Sequence, residues 1–490
     1  MPEIHGETTH DDTTLPWIDT LALVIVAALV TAPDLGTPAA PVFDEVYYVS
    51  DALATLDHGV AAGFQAHPPL GTLLIAAGIA VGGPGPVGWR LAPLLTGLLT
   101  VVAIHRLSGH LFGGRPRTRL LAALTAAFVI VDPSWSVLTR TAMLDGPLTT
   151  MVAVAAACGA AAAAAPPHRR TWWLVAAGAA AGAATAVKLS GAAALVIVLV
   201  VAATVGRRGD LRSTLKAAPA MLLGAAVVYA ASWVPFVVFR DDVALVSCPS
   251  LAEPCPDDGG VRGVVAQHGM FFRYHAALDP DGTETSSPSL WPALVRPVGL
   301  YRSDCGPRSP APDILAAPTD CADVPWPEDV DTIRYTGNPI TWLAFLALLP
   351  VLAAAARNGD VAARVALACW GLLWLPWLVT SRPGYLFYLA PAVPFIALGT
   401  VAAGLAASRG GIVRPLLAGT VGAAIGLAVA AATPLPLALA IMAAAVGGAW
   451  FRPTPPPGGP APPWVVVGLF LTATVAFGVL WPMLTASAGN

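Results

Sequence analysis

The sequence predicts an all-α polytopic membrane protein. Of its 490 residues, 56% are hydrophobic and only 11% are charged, whereas soluble proteins carry roughly 25% charged residues. Apolar runs long enough to cross about 30 Å of hydrocarbon recur along most of the chain. The 26 basic and 29 acidic residues leave a net charge of −3, which argues against binding of a nucleic acid by a basic surface.

Hydropathy predicts about 11 to 13 membrane-spanning helices. The predicted spans are 17–33, 88–106, 118–131, 143–165, 171–187, 190–206, 217–238, 339–356, 362–379, 385–406, 413–431, 434–450 and 464–486. They divide the chain into a tail (1–16), an N-terminal transmembrane module (17–238), a long loop (239–337) and a C-terminal transmembrane module (338–490).

Basic residues predict the orientation, because short cytoplasmic loops retain Lys and Arg. They cluster at every second connection, namely Arg106 to Arg119, Arg169–Arg170, Arg207 to Lys216, Arg357 and Arg364, Arg409 and Arg414, and Arg452. The N-terminus is therefore expected in the cytoplasm, and the two polar excursions at 34–87 and 239–337 outside. The acidic start lacks the basic region and cleavage site of a signal peptide, so the first span is expected to stay as an anchor.

The apolar segment at 65–83 fits this alternation only if it does not cross the membrane. We predict an interfacial helix in the first outer loop, begun by Pro68 and Pro69, with His67 at its mouth. His67 is interpreted as a hydrogen-bonding strut, with acid–base catalysis as the alternative.

The second outer loop holds four of the six cysteines. Close spacing in an oxidising exterior predicts the disulfides Cys248–Cys255 and Cys305–Cys321, although four cysteines allow three pairings. A zinc site is the weaker alternative, because the spacings are not those of CxxC motifs.

Four cations are left unexplained by the topology: Arg90, Arg140, Lys188 and Arg382. All lie at or near the exoplasmic ends of predicted spans, where a cation is costly unless it is used. Together they predict an anionic ligand at the outer leaflet, with phosphate as the natural candidate. Snorkelling or pairing with an acid is the structural alternative.

Acidic residues lie on the same predicted face. Asp44 and Glu45 follow the first span, and Asp132 and Asp145 flank the turn that contains Arg140. Adjacent carboxylates just above the end of an apolar helix cost solvation unless they are used, and a general base and a metal ligand are the obvious uses. The structural alternative is that an Asp–Glu pair is common in sequences.

Several motifs in fixed order resemble protein O-mannosyltransferases, which have the membrane-embedded C-type glycosyltransferase fold. They are FDEVYY (43–48), AHPPLG (66–71), GWRLAPLLTGLLTV (88–101), SVLTRTAMLDGPL (136–148), AVKLSGAAAL (186–195), SLWPALVRPVGLY (289–301), YTGNPITWL (335–343) and SRPGYLFYLAPAVPFIAL (381–398).

The resemblance implies transfer of mannose from polyprenyl-phosphate-mannose to Ser or Thr hydroxyls of exported proteins, with inversion at the sugar carbon. It implies Asp44 as the catalytic carboxylate, Glu45 as its partner, and the 17–238 module as the catalytic one. Arg140 and Asp145 match the family's arginine–aspartate turn, and Arg382 and Tyr385 match the late helix that meets the carrier. Thr72 stands where the family commonly has lysine, and the outer loop is too short for a sugar-binding trefoil module.

These inferences define the expected site and partners. Asp44 is the base; Arg140, Lys188 and Arg382 bind the donor phosphate, with Arg90 as a weaker fourth. No cofactor and no essential divalent metal are expected, although the Asp44–Glu45 pair leaves a metal open. The expected partners are the lipid-linked donor, exported acceptor proteins with the secretion machinery, and membrane lipid, but no nucleic acid.

Two other functions compete with this one. A transferase of the same fold could glycosylate a lipid or a cell-wall glycan. A transporter or flippase is the third reading, which the gathering of charges on one membrane face disfavours, because transporters usually have related halves and broken helices near the midplane.

Overall fold

A computed structural model describes residues 15–59, 66–115, 117–206, 211–239, 260–278, 284–302, 332–380 and 384–408. Its helices are α1 (Trp17–Thr31), α2 (Glu45–His58), α3 (Leu70–Gly82), α4 (Pro86–Phe112), α5 (Thr118–Ile130), α6 (Pro133–Thr139), α7 (Asp145–Ala164), α8 (Pro167–Val187), α9 (Ala193–Val205), α10 (Leu211–Ser232), α11 (Val234–Val238), α12 (Gly260–Ala277), α13 (Pro339–Arg357), α14 (Val361–Trp374) and α15 (Val393–Ser408). Short 3-10 helices cover Leu189–Ala192, Pro288–Ala293, Leu375–Val379 and Leu386–Ala392. Strands β1 (Val298–Arg302) and β2 (Thr332–Tyr335) pair antiparallel.

The protein is a multi-pass membrane protein. In the part of the chain that the structure describes, five helical segments are long and apolar enough to cross a membrane: α4, α7, α13, Val361–Val379 and Leu386–Ser408. A sixth is formed if α5 and α6, which bend by 66° at their junction, count as one span. Three predicted spans, 413–431, 434–450 and 464–486, lie outside the described residues.

Glycine allows α8 and α10 to approach closely. Gly178 and Gly182 are four residues apart, so they lie on one face of α8. A Cβ atom at Gly178 would lie 1.8 Å from the carbonyl oxygen of Met221, and one at Gly182 would lie 2.3 Å from that of Ala225. Helices in membranes pack closely through small residues at this spacing. This close packing against α10 holds α8 in place, and Lys188 follows the last residue of α8.

The 34–87 segment contains helices, as predicted. It contains α2 and then α3, which begins directly after Pro68 and Pro69 and packs against α2 and α4. Proline is favoured at helix starts because it has no N–H to leave unpaired. The 239–337 segment adds α12, β1 and β2, while Cys248, Cys255, Cys305 and Cys321 lie outside the described residues.

Candidate active site

Asp44 lies where a strained turn enters α2. Phe43 adopts φ 47°, a left-handed conformation that costs a residue with a Cβ about 1–2 kcal/mol. Its ring packs edge-on against Tyr385 and Phe387, at centroid distances of 5.9 and 5.7 Å. These contacts hold the turn and place Asp44, which is half-buried, at the first position before the helix.

Glu45 forms a fully buried ion pair with Arg90. The guanidinium donates from Nε to Oε1 at 2.9 Å and from Nη2 to Oε2 at 2.8 Å, and neither side chain is exposed. The carboxylate also accepts the backbone N–H of Val42 at 2.7 Å and that of Ala142 at 2.6 Å. Glu45 thereby joins the first outer loop, α4 and the turn between α6 and α7.

Arg90 uses its remaining donors within the protein. Nη1 donates to the carbonyl oxygens of Leu35 and Pro38, and Nη2 also donates to that of Ala40. These bonds engage the guanidinium of Arg90 inside the protein, and its predicted phosphate-binding role stays a prediction. Glu45 likewise holds the loop, and its predicted role as the partner of Asp44 also stays a prediction.

Arg140 closes the same loop from the other side. Its Nη2 donates to the carbonyl oxygens of Pro33 and Asp34, at 2.8 and 3.3 Å. Arg140 also caps α6, since its backbone N–H donates to the carbonyl oxygens of Ser136 and Val137. The side chain is half-buried, and these bonds go to backbone carbonyl oxygens, so its predicted phosphate contact stays a prediction. Arg382 lies outside the described residues.

Lys188 is held at a break in the helix. It ends α8 in an extended conformation, and the chain then turns at Gly191, where a Cβ would lie 2.2 Å from the carbonyl oxygen of Ala184. The Lys188 Nζ donates to Oδ2 of Asp145 at 2.7 Å, and both side chains are buried. An ammonium group has three donors, of which this bond uses one.

A small cavity lies over the Lys188–Asp145 pair. Its lining combines charged, imidazole and aromatic side chains: His67, Asp145, Leu148, Lys188, Leu189, Ser190, His275, Trp377 and Tyr388. The cavity thus brings together three residues that the sequence predicted. They are His67 before α3, Asp145 at the start of α7 and Lys188 after the end of α8. This convergence of a buried cation, a carboxylate and imidazoles is typical of a reactive site.

Aromatic rings form one side of the cavity. Tyr388 stacks on Trp377 with centroids 4.8 Å apart, and the Lys188 ammonium lies 5.6 Å from the Tyr388 ring and 5.9 Å from the Phe387 ring. A cation over an aromatic face is attracted by the ring quadrupole. The rings continue through Tyr385, which stacks on Phe387, to the turn that precedes Asp44.

Tyr48 links Asp44 to the cavity. Its hydroxyl donates to Oδ2 of Asp44 at 3.2 Å, and its ring lies 6.2 Å from that of His67. Burial, and then the negative charges of Asp44 and Asp145, raise the pKa of Tyr48 well above its ordinary value. The hydroxyl therefore stays protonated and acts as a donor to the Asp44 carboxylate.

Removing this donor should have a small effect. Tyr48→Phe is expected to lower the turnover of the protein about fivefold, since one hydrogen bond contributes about 1 kcal/mol. The measurement is the initial rate, at saturating donor, of the mannosyl transfer that the resemblance leads us to expect. A rate equal to that of the wild type would show that Tyr48 does not orient Asp44.

The sequence leaves open whether the Asp44–Glu45 pair binds a metal ion. Among the described residues, no group of three or more His, Cys, Asp or Glu side chains is placed to hold a metal ion, and Glu45 is engaged by Arg90. That no divalent ion is essential stays a prediction.

Comparison with known proteins finds a family model that matches part of the chain. Residues 66–233 match the family model described as dolichyl-phosphate-mannose-protein mannosyltransferase. The resemblance to protein O-mannosyltransferases is confirmed. Arg90, Arg140, Asp145 and Lys188 lie within the segment that matches the mannosyltransferase family, and Asp44 precedes it.

Curated relatives of the mannosyltransferase family match a similar length. The polyprenol-phosphate-mannose–protein mannosyltransferase of Mycobacterium tuberculosis is 34% identical over 147 residues, which is 28% of this chain and 27% of that protein. The protein of the same description from Mycolicibacterium smegmatis is 33% identical over 147 residues, 28% of each chain. The match thus spans just over a quarter of the length of these relatives.

Solved structures extend the likeness in fold over most of the chain. The Saccharomyces cerevisiae protein O-mannosyltransferase Pmt1–Pmt2 complex bound to its sugar donor has a TM-score of 0.62 at 13% identity, covering 90% of this chain and 91% of that one. ArnT from Cupriavidus metallidurans bound to undecaprenyl phosphate has a TM-score of 0.51 at 18% identity, covering 88% and 75%. The chain therefore has the C-type glycosyltransferase fold that its motifs predicted.

Several residues that line the cavity or link it to Asp44 were not predicted from the sequence, among them Tyr48, His275 and Trp377. Tyr48 could have been found, because it lies four residues after Asp44 and so on the same face of α2. His275 and Trp377 carried no local signal, since the packing of distant segments brings them to the cavity.

Proposed function

We propose that this protein transfers mannose from a polyprenyl-phosphate-mannose donor to Ser or Thr hydroxyls of exported proteins at the outer face of the membrane. The observation that carries the proposal is the cavity lined by Lys188, Asp145 and His67 on a C-type glycosyltransferase fold. The ring of His67 lies 6.2 Å from that of Tyr48, whose hydroxyl donates to Asp44. The names of the mannosyltransferase relatives support the choice of sugar and acceptor.

Asp44 is the proposed general base. A hydroxyl is a poor nucleophile, and a carboxylate within about 3 Å that removes its proton accelerates attack by roughly 10²–10⁴-fold. Asp44 is suited to this because it is half-buried and accepts a bond from Tyr48. Both carboxylate oxygens of its neighbour Glu45 accept hydrogen bonds from Arg90. The acceptor oxygen attacks the sugar carbon in one step, the bond to phosphate breaks, and the configuration inverts.

Lys188 is the proposed counter-charge for the departing phosphate. Negative charge grows on the bridging oxygen as its bond to the sugar breaks, and a fixed cation in a dry site stabilises that charge most effectively. Asp145 and the rings of Phe387 and Tyr388 fix the position of the ammonium. We propose Arg140 and Arg382 as further contacts of the donor, and Tyr385 as part of the aromatic surface beside it.

The aromatic side of the cavity is proposed to exclude water and to bind the donor. Trp377 belongs to the short helix Leu375–Val379, in which Leu375 and Val379 are exposed. Exposed apolar side chains on a membrane protein fit lipid, so this edge offers a path for a polyprenyl chain. Excluding water matters because hydrolysis of the donor competes with transfer.

The outer location of the site follows from the charge pattern of the loops. We propose a cytoplasmic N-terminus, with the α1–α2 and α6–α7 connections outside, because the short basic loops alternate with them. Acceptor proteins would then meet the site as they leave the secretion machinery.

Two acceptors offered side by side test the proposed function. Purified protein in sealed lipid vesicles receives polyprenyl-phosphate-[³H]mannose with a Ser/Thr-rich peptide in one reaction and a membrane glycolipid in another. We expect label in the peptide alone. Label only in the glycolipid would assign the protein to lipid or cell-wall glycosylation, and donor crossing the bilayer without transfer would indicate a flippase.

Loss of the Lys188 charge should slow the chemical step. Lys188→Gln is expected to lower kcat about 100-fold, the effect of removing one group that stabilises developing charge. Lys188→Arg keeps the charge and should retain more activity than the Gln variant. The measurement is single-turnover mannosyl transfer. Equal rates for the wild type and Lys188→Gln would remove Lys188 from the mechanism.

A further inference from the structure

His275 enters the cavity from the long outer loop, far in sequence from the other lining residues. Its ring stacks on that of His67, with centroids 5.1 Å apart and planes inclined by 29°. The His275 Nε2 lies 3.0 Å from the carbonyl oxygen of Ala66. Because a carbonyl oxygen can only accept, Nε2 carries the proton and donates it. One imidazole thus contacts both the backbone before His67 and the ring of His67.

The segment that carries His67 has few backbone donors of its own. Pro68 and Pro69 follow His67 directly, and proline has no N–H to give to a hydrogen bond. The backbone at this point therefore depends on partners from elsewhere in the chain. The bond from His275 to Ala66 supplies one from 209 residues away.

Helix α12, which carries His275, is fixed on the membrane domain. Met270 and Phe271 are fully buried against Trp233 and Phe236, at the end of α10 and in α11. On the same helix, His268 donates from Nδ1 to the carbonyl oxygen of Val264, so its Nε2 accepts from the Tyr229 hydroxyl. An aromatic cluster joined by a hydrogen bond gives α12 a defined position, and with it His275.

We propose that His275 is a positioning residue that holds the Ala66–His67 segment and so keeps His67 in place beside the Lys188–Asp145 pair. The long outer loop then completes the site rather than merely connecting two membrane modules. The kinetic part of this inference rests on the proposed function, whereas the geometric part does not.

Three substitutions separate the contributions of the His275 ring. His275→Gln keeps an N–H donor at the position of Nε2, His275→Phe keeps the stacked ring without the donor, and His275→Ala loses both. In mannosyl transfer by the purified full chain, we expect the Ala and Phe variants to lose about tenfold in kcat, since small misplacement of a site residue is costly. Gln should recover to within about threefold of the wild type. A Gln variant as impaired as Ala would overturn the role of the donor.

The double variant tests whether His275 acts through His67. If it does, His275→Ala has little further effect in a His67→Ala protein, because coupled residues are not additive. Independent effects that multiply would overturn the positioning role. Ala276→Ser, an exposed neighbour on α12, is the control and should match the wild type.

A labelling experiment tests the geometry without any activity. In His67→Cys, the rate of reaction of Cys at position 67 with a membrane-impermeant maleimide is compared with and without His275→Ala, with the parent chain as the blank. We expect the added His275→Ala to raise the rate at least about fivefold, as loss of a packed neighbour exposes the thiol, and His275→Gln to do so less. An unchanged rate would overturn the contact. If His275 slowed labelling of the thiol at position 67 in a protein that transfers no mannose, the proposed function would be contradicted but the contact would stand.

Discussion

Asp44→Asn is expected to abolish mannosyl transfer while leaving the fold intact. The amide has the same shape as the carboxylate and can still accept the bond from Tyr48, but it cannot remove a proton from the acceptor hydroxyl. Loss of a general base costs roughly 10²–10⁴-fold in rate. The measurement is kcat of the purified variant with a saturating peptide acceptor.

Asp57→Asn is the matched control for this substitution. Asp57 lies on the same helix, α2, but is exposed, so its loss should leave the rate unchanged. If Asp44→Asn were stably inserted and retained more than about half of the wild-type rate, another group would have to be the base.

Breaking the Glu45–Arg90 pair should have the largest effect on stability. Arg90→Met leaves a buried carboxylate without its cation and three loop carbonyls without a donor. Removing one partner of a buried ion pair typically destabilises a protein by about 3–5 kcal/mol. We expect a lower unfolding temperature in detergent and faster proteolysis of the first outer loop, measured on the purified variant.

Two further variants separate the ion pair from the substitution itself. Arg90→Met combined with Glu45→Gln removes both charges, so it should be less destabilised than Arg90→Met alone. Arg119→Gln breaks the pair with Asp19, in which the Arg119 side chain is 65% exposed, and should change the unfolding temperature little. A wild-type unfolding temperature for Arg90→Met would contradict the role given to the pair.

The sequence predicted where many of the helices lie, because an apolar run of sufficient length forms a helix in a membrane whatever its neighbours. The spans predicted at 17–33 and 190–206 correspond to shorter apolar helices, Trp17–Thr31 and Leu189–Val205. The spans predicted at 118–131 and 339–356 differ from α5 and α13 by one residue at their ends. Lys188 and Asp145 were also identified from sequence, because buried charges in apolar helices are rare enough to be informative.

The partners of each buried charge could not be predicted in the same way. Arg90 and Lys188 look alike in the sequence, each a single cation near the outer end of an apolar helix. The structure separates them, since Arg90 is enclosed by Glu45 and the loop carbonyls whereas Lys188 lines a cavity. That difference depends on how the 34–44 loop folds over α4, a long-range contact that hydropathy does not encode. His275 was missed for the same reason.

We propose that Asp44 and Lys188 serve one reaction, the transfer of mannose from a lipid phosphate to a hydroxyl. Its most direct test is the product formed by purified protein from polyprenyl-phosphate-mannose and a Ser/Thr peptide, analysed for linkage and for released carrier. The expected result is one polyprenyl phosphate released per mannosyl-peptide, with the anomeric configuration opposite to that of the donor, and no product with Asp44→Asn. A mannosyl-peptide that retains the configuration of the donor would contradict this mechanism. So would hydrolysis of the donor to carrier and free mannose with no peptide product.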